Sequence, residues 1–167
     1  MLHAILTRLR RSSVVIAAGG LLFVGLPLSA QTPLPLRPTD FIVAGIRDGL
    51  DSGSLRRRLG TPDSVRLVDS PSGAERKIAH WYYRQTMVPL TTRVLGINLF
   101  GRGVATHRGL RVGDRAKRVL QLYGSPGDRE ESEWWYRDPA DSTASHVILV
   151  AIQQDHVRWI YVGWYTN

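Results

Sequence analysis

The sequence predicts an α+β fold of two tandem repeats, each a short helix or helical hairpin packed on an antiparallel β-meander. Three observations predict it: a motif bounded by glycine and proline that occurs twice, an apolar helical face inside each copy, and aromatic, β-rich runs after each copy. The 167 residues are 43% hydrophobic and 22% charged, which is typical of a folded globular chain. Length and composition therefore argue against a disordered tail and against a collagen-like chain.

The N-terminal segment has the layout of a secretory signal peptide. Arg8, Arg10 and Arg11 supply positive charge, residues 14–28 are uncharged and mostly apolar, and small residues end at Ala30. The apolar run is shorter than the roughly 20 residues that a membrane-spanning helix needs. We therefore expect cleavage near Ala30 and an exported protein that resides in the periplasm or outside the cell. The alternative is that the segment is retained as an N-terminal anchor.

Charge and cysteine content limit the partners and the chemistry. The chain has 22 Lys and Arg residues against 14 Asp and Glu residues, a formal net charge of +8. In an exported domain this charge favours anionic lipid, cell-wall polymer or an acidic protein face, and no nucleic-acid partner is expected. The simpler interpretation is a mildly basic, solvated surface. The absence of cysteine excludes disulfides, cysteine zinc sites, iron–sulfur clusters and thiol catalysis.

One motif occurs twice after the signal peptide (residues 1–30) and a proline-rich linker (residues 31–40). The first copy runs from Gly45 to Pro62 and the second from Gly109 to Pro126, a constant offset of 64 residues. Each copy reads Gly-x-Arg-x-Gly, then ten residues, then Gly-Thr-Pro or Gly-Ser-Pro. Such self-similarity indicates a repeated structural unit. The repeats are predicted to occupy residues 41–100 and 101–167.

The ten residues between Gly113 and Gly124 of the second copy are predicted to form a helix. Asp114 is a suitable N-cap for a helix that starts at Arg115. Gly124 can adopt the positive φ that ends a helix, and Pro126 prevents its continuation. Apolar side chains recur at helical spacing and would form one buried face: Ala116, Val119, Leu120 and Tyr123.

The first copy predicts a shorter and weaker helix with the same boundaries. Asp51, with Ser52 and Ser54, offers N-caps, and Gly60 followed by Pro62 ends the helix. Its inward-facing residues are Leu55 and Leu59.

Strand-like runs follow each helix. They are residues 78–84 and 93–100 in the first copy and residues 134–137, 146–153 and 156–165 in the second. The break at residues 153–155 predicts a β-hairpin. The turn at residues 69–73 would add a hairpin or a longer loop to the first copy.

These motifs resemble known envelope proteins. A glycine-containing turn, a short capped helix that ends Gly-Ser/Thr-Pro, and then Trp-x-Tyr and a sheet resemble the SmpA/OmlA (BamE-like) lipoproteins. The tandem doubling resembles the β-lactamase-inhibitor-protein (BLIP-like) fold, a helical hairpin packed on an antiparallel sheet. The resemblance implies an envelope protein of this fold and says little about function. BamE-like proteins are usually lipid-anchored through a cysteine, so neither that anchor nor the barrel-assembly role is transferred to this chain.

No catalytic, cofactor-binding or metal-binding residue is predicted. The chain has no HExxH or G-x-S-x-G motif, and the glycine-rich residues 96–103 lack the Lys and Ser/Thr of a phosphate loop. His146 and His156 flank the predicted hairpin and could lie opposite one another as metal ligands, but no carboxylate partner is evident. Surface histidines are the favoured interpretation. The acidic residues between 130 and 133 are expected to form a solvated loop.

The aromatic residues give the functional prediction. Neighbouring residues of a strand point to opposite faces, so Trp135 must lie on the other side of the sheet from Trp134, and Tyr82 on the other side from its neighbours. A sheet face rich in Trp, Tyr and Arg suits protein recognition. Tyr82, Arg84, Trp135 and Arg137 are therefore the predicted protein-binding residues. The alternative is that packing between the two copies buries these rings.

The sequence thus favours an exported, non-enzymatic protein-binding module that requires no cofactor. It would assist envelope assembly or regulate or inhibit another envelope or extracellular protein. One alternative is a small secreted hydrolase that uses His146 or His156 with an acid such as Asp155. A second is a protein held at anionic lipid or the cell wall by its arginines, which moderate salt would release.

Overall fold

The structure is a computed structural model of the chain and describes residues 34–70 and 77–165. The predicted signal peptide, and the first residues of the predicted linker, lie outside the described residues. Within the described ranges, no helix is long and apolar enough to cross a membrane.

Two short helices and one antiparallel sheet are present in the described part of the chain, and the α+β prediction is confirmed. The helices are α1 (Ser52–Leu59) and α2 (Ala116–Tyr123), and a 3₁₀ turn precedes them at Pro38–Phe41. The first half of the chain supplies β1 (Ser64–Asp69), β2 (Lys77–Tyr83), β3 (Thr86–Leu90) and β4 (Gly96–Leu99). The second half supplies β5 (Asp128–Glu130), β6 (Glu133–Arg137), β7 (His146–Gln153) and β8 (His156–Trp164).

All eight strands belong to one sheet in the order β1-β2-β3-β4-β8-β7-β6-β5. Each half of the chain therefore contributes one helix and a four-stranded antiparallel meander, and the halves join through the pairing of β4 with β8. The predicted hairpin between β7 and β8 is confirmed, with Gln154 and Asp155 at positive φ in the turn. The duplication of one unit stays a prediction.

Local signals explain both helices, with one correction. Asp51 caps α1, because its Oδ1 accepts a hydrogen bond from the Ser54 backbone N–H at 2.9 Å. The cap predicted for α2 is wrong by one residue: the N-cap is Arg115, and the Asp114 carboxylate instead accepts the Arg111 N–H at 2.8 Å. Both helices end as predicted at a glycine of positive φ, +81° at Gly60 and +73° at Gly124.

The main core lies between the helices and one face of the sheet. Leu55 of α1 and Val119 and Tyr123 of α2 pack in a single cluster with alternate residues of the interior strands. Trp81 and Trp134 both belong to this cluster. The two halves of the chain thus share one continuous core.

The described part of the predicted linker lies against the second half of the chain. The Asp40 carboxylate is 1% exposed and accepts hydrogen bonds from the Arg108 Nε at 2.8 Å and from the Arg37 backbone N–H at 2.7 Å. The Leu34 N–H donates to the Tyr123 carbonyl at 3.0 Å. Residues 34–41 are therefore fixed to α2 and to the loop that precedes it.

Candidate binding groove on the open sheet face

The sheet face away from the helices, called the open face here, carries one row of side chains that crosses every strand. The row follows the register of the paired strands and runs, from β1 to β5, through Ser64, Tyr82, Met87, Asn98, Tyr161, Leu149, Trp135 and Asp128. Because neighbouring residues of a strand point to opposite faces, these side chains do not enter the helix-covered core. A small second cluster, which includes Trp135, Leu149 and Tyr161, is buried on this face.

A groove of about 220 Å³ lies on the open face. Most of its lining is apolar or aromatic: Val68, Ile78, Met87, Pro89, Leu95, Leu149, Trp159, Tyr161, Trp164 and Tyr165. The polar lining residues are Asp69, His80 and Asn98. An apolar lining with few polar groups is the usual composition of a binding site.

Residues at the end of β8 form one wall of the groove and are held in place by neighbouring side chains. The Tyr165 ring meets Trp135 edge to face, with ring centroids 5.0 Å apart. The Trp164 indole N–H donates to Asp48 Oδ2 at 2.8 Å, and the Trp164 carbonyl accepts the Tyr161 hydroxyl. These contacts stabilise the wall before any partner binds.

A paired glycine makes room for the Tyr161 ring beside the groove. Gly96 of β4 faces Gly163 of β8, and a Cβ at Gly96 would lie 2.7 Å from the Tyr161 hydroxyl oxygen. Any side chain at this position would therefore displace the ring that lines the groove.

The polar groups of the groove are neutral or already paired. Burial lowers the pKa of His80, so its imidazole is uncharged near neutral pH. Burial raises the pKa of Tyr161, so its hydroxyl stays protonated. The Asn98 side-chain amide contacts the Met87 sulfur at 3.8 Å, and the Asp69 carboxylate is ion-paired with Lys77. The groove therefore suits apolar side chains with a few hydrogen-bonding groups better than a charged ligand.

The structure places Tyr82 and Trp135 on the same face, as strand parity predicts, but does not bring them together. They belong to one cross-strand row on β2 and β6, with four strands between them. At ~4.8 Å per strand, their backbones are about 24 Å apart along the hydrogen-bonding direction. Tyr82 lies beside His80 on one side of the groove, and Trp135 supports Tyr165 on the other.

The two predicted arginines differ in their surroundings. The Arg137 guanidinium lies 5.2 Å from the Trp135 ring centroid and donates hydrogen bonds to Asp128 and to the Ala144 carbonyl. Arg84 lies in the exposed turn between β2 and β3 and makes no hydrogen bond or ion pair to another described residue. Trp135 itself is only 7% exposed, so it contributes to the groove only by packing against Tyr165, which lines it. The protein-binding role of the four residues stays a prediction.

Most residues that line the groove are not among those predicted from the sequence. Strand parity, applied to β2 and β8, could have identified His80 beside Tyr82 and Trp159 beside Tyr161 as residues of the open face. No local signal could have paired Asn98 with Tyr161, because β4 and β8 are far apart in the sequence.

His146 and His156 do not lie opposite one another, so the alternative of a two-histidine metal site is wrong. His146 pairs with Trp164 at one end of the β7–β8 hairpin, whereas His156 pairs with Gln153 at the other end, beside the turn. Because β7 is eight residues long, the two imidazoles lie at opposite ends of the hairpin and too far apart to share a metal ion. Among residues 34–70 and 77–165, no group of three or more His, Asp or Glu side chains is arranged to hold a metal ion.

His146 instead has two carboxylate neighbours. Its Nδ1 lies 2.9 Å from Asp138 Oδ2, and its Nε2 lies 3.7 Å from Asp48 Oδ1, which is an ion-pair distance but not a hydrogen bond. Phe41 and Trp164 stack on the imidazole from the two sides. In the hydrolase alternative, His146 or His156 would act with an acid such as Asp155. Asp155 lies in the turn at the opposite end of the hairpin from His146, so it is not one of the two carboxylates beside His146. Both alternative functions, a small secreted hydrolase and a protein held at anionic lipid or the cell wall by its arginines, stay predictions.

Comparison with known proteins does not identify a family. No family model matches the chain, and no curated protein matches it. The chain is similar to the crystal structure of an extracellular protein containing a SCP domain from Bacillus anthracis str. Ames, with 12% identity and a TM-score of 0.47. The similarity covers 79% of this chain and 48% of that one, so this chain spans about half the length of the protein that it matches. The resemblance to BamE-like and BLIP-like proteins stays an expectation.

Proposed function

We propose that this chain is an exported, non-enzymatic protein-binding module whose open-face groove receives apolar side chains of an envelope or extracellular protein. The composition of the groove carries the proposal: its walls are aromatic and aliphatic, and its polar groups are neutral or paired. Export is the prediction from the N-terminal residues. The matching order of one helix and four strands in each half supports the tandem-repeat interpretation.

The geometry favours a protein partner because the groove is preformed and open. Tyr161 and Tyr165 present large aromatic surfaces whose positions are fixed by contacts within the chain. Rigid aromatic side chains lose little conformational entropy on binding and contribute strongly to protein interfaces. Tyr82 and Arg84 extend this surface along β2, and Arg137 extends it along β6, where Trp135 supports Tyr165 from below.

Site-specific photocrosslinking tests the proposal. A photoreactive phenylalanine analogue would replace Trp159, a half-buried lining residue, in the full chain expressed in its own organism. The same analogue at Phe100, which is 50% exposed and lies outside the groove, is the control position. We expect one protein to be crosslinked from position 159 and not from position 100.

The crosslinked protein must then bind through the groove as a purified component. Met87→Arg places a charge in the apolar lining and should weaken its affinity about tenfold or more, whereas Phe100→Arg should not. Circular dichroism would establish that both variants fold. Equal binding by the two variants, or identical crosslinking from both positions, would show that the groove is not the binding surface.

A further inference from the structure

The two edges of the sheet are built differently. The β5 edge has three residues, Asp128–Glu130, all of which are charged and exposed. Short, charged edge strands are a common protection against pairing with another chain. The β1 edge has six residues, contains no proline, and exposes Val65 by 49% and Leu67 by 68%. The β1 edge therefore lacks the protection that β5 has.

An added strand would find complementary surfaces on both faces of β1. Val65 and Leu67 point to the helix side, where Val65 lies directly opposite Trp81. Arg66 points to the open face, where its guanidinium lies 5.5 Å from the centroid of the Tyr82 ring. A partner strand would thus meet an aliphatic pair on one face and a cation on the other.

The charges around β1 favour an acidic partner. The Arg56 guanidinium lies 4.9 Å from the Trp81 ring centroid and therefore beside Val65. Within the described ranges, neither Arg56 nor Arg66 forms an ion pair with a carboxylate. A second copy that paired through its own β1 would bring the two sets of arginines close together, and like charges across an interface are unfavourable. This favours a different protein as the occupant.

We propose that β1 accepts an extended segment of another protein by β-strand addition. The segment carries apolar side chains opposite Val65 and Leu67 and a carboxylate opposite Arg66, so its sequence alternates apolar and acidic residues. Main-chain hydrogen bonds to the edge of β1 that pairs with no other described strand supply affinity, and the alternate side chains supply specificity. This surface lies at the sheet edge, and the inference does not depend on the proposed function of the groove.

Synthetic peptides added to the full chain test the inference. The probe is a capped heptapeptide of alternating Glu and Val. One control peptide has Lys in place of Glu, and a second has alternate backbone nitrogens methylated, which removes hydrogen-bond donors and keeps the side chains. We expect the probe to protect the backbone amides of β1 from hydrogen exchange and to show nuclear Overhauser contacts with Val65 and Leu67. The Lys peptide should bind about tenfold more weakly, and the methylated peptide should not bind.

Protein variants locate the contact. Leu67→Glu should abolish binding of the probe, whereas Phe100→Glu, the same charge at an exposed position off β1, should leave it unchanged. Leu67→Glu should also leave crosslinking from groove position 159 unchanged, which separates the failure of this inference from failure of the proposed function. No binding of the probe, equal binding of the methylated peptide, or protection at β5 would overturn the inference. A dimer that Leu67→Glu dissociates would also overturn it, in favour of self-pairing.

Discussion

At the scale of single residues, His146 shows how the surroundings of one side chain determine its charge. Its ring centroid lies 3.8 Å from that of Phe41 and 4.9 Å from that of Trp164. Burial lowers the pKa of the imidazole, but Asp48 and Asp138 together raise it more, so the net pKa is above the ordinary value of 6.5. In its protonated form the imidazole is ion-paired with Asp48 of the loop before α1 and with Asp138, and so links that loop to the start of β7.

The stability that His146 contributes is expected to depend on pH. Because the pKa is higher in the folded than in the unfolded chain, the contribution is complete below pH 6.5 and is lost as the pH rises through the folded-state pKa. The free energy of unfolding in urea should be compared between the wild type and His146→Gln from about pH 5 to about pH 9. We expect the difference between them to be larger at the acidic end.

A control variant completes this comparison. His156→Gln, at an exposed histidine at the opposite end of the hairpin, removes an imidazole that no ring encloses and should lower the free energy of unfolding less than His146→Gln does. A difference for His146→Gln that stayed constant with pH would mean that the carboxylates do not stabilise the protonated imidazole.

At the scale of elements, a buried ion pair fixes the N-terminal described segment to the second half. The Arg108 side chain is 16% exposed, bonds both oxygens of Asp40, and also donates to the Pro35 and Leu122 carbonyls. Burial alone would raise the pKa of Asp40, but the hydrogen bonds from Arg108 and the Arg37 backbone N–H, together with nearby positive charge, lower it below the ordinary value. The segment is held by charge and hydrogen bonds as well as by packing.

Removal of this cation should be costly. Arg108→Ala leaves the Asp40 carboxylate buried without its partner, and we expect a loss of about 3 kcal/mol in the free energy of unfolding. Arg137→Ala breaks the exposed pair with Asp128 and should cost less than about 1 kcal/mol. Urea denaturation of the two variants measures both values. Equal losses would show that the Asp40–Arg108 pair behaves as a surface contact.

The elements that the sequence predicts well are those with local signals. Asp51 and Gly60 bound α1, and the apolar runs of β7 and β8 flank a polar turn, so short-range rules are sufficient. Three strands, β1, β3 and β5, are not predicted, and the sequences of β3 and β5 disagree with strand propensity. β3 contains Pro89, and β5 is entirely charged. These strands form because the adjacent strands supply hydrogen bonds and register.

The candidate groove could be predicted only in part, for the same reason. Parity along one strand is a local property and correctly separates Trp134 from Trp135 and Trp81 from Tyr82. The depth and position of the groove depend on which strands become neighbours. The pairing of β4 with β8 places Asn98 beside Tyr161, and this pairing joins the two halves of the chain.

At the scale of the whole molecule, the halves are expected to unfold together. They share one sheet and one hydrophobic cluster, so neither half can open without exposing the core of the other. A single cooperative unit gives the same opening free energy to its best-protected amides, wherever they lie. Native-state hydrogen exchange of β3 (Thr86–Leu90) and β7 (His146–Gln153), one interior strand from each half, should therefore report equal free energies.

The Arg108→Ala variant gives a second hydrogen-exchange test of whether the two halves unfold together. Although the substitution is confined to the contact between residues 34–41 and the second half, it should lower the opening free energies of β3 and β7 by the same amount, because both amide sets exchange through global unfolding. A decrease in the opening free energy of β7 alone would mean that the halves are separate folding units in contact with each other. In that case each four-stranded meander, with its own helix, would be the cooperative unit, and the β4–β8 pairing would be an interface between two units.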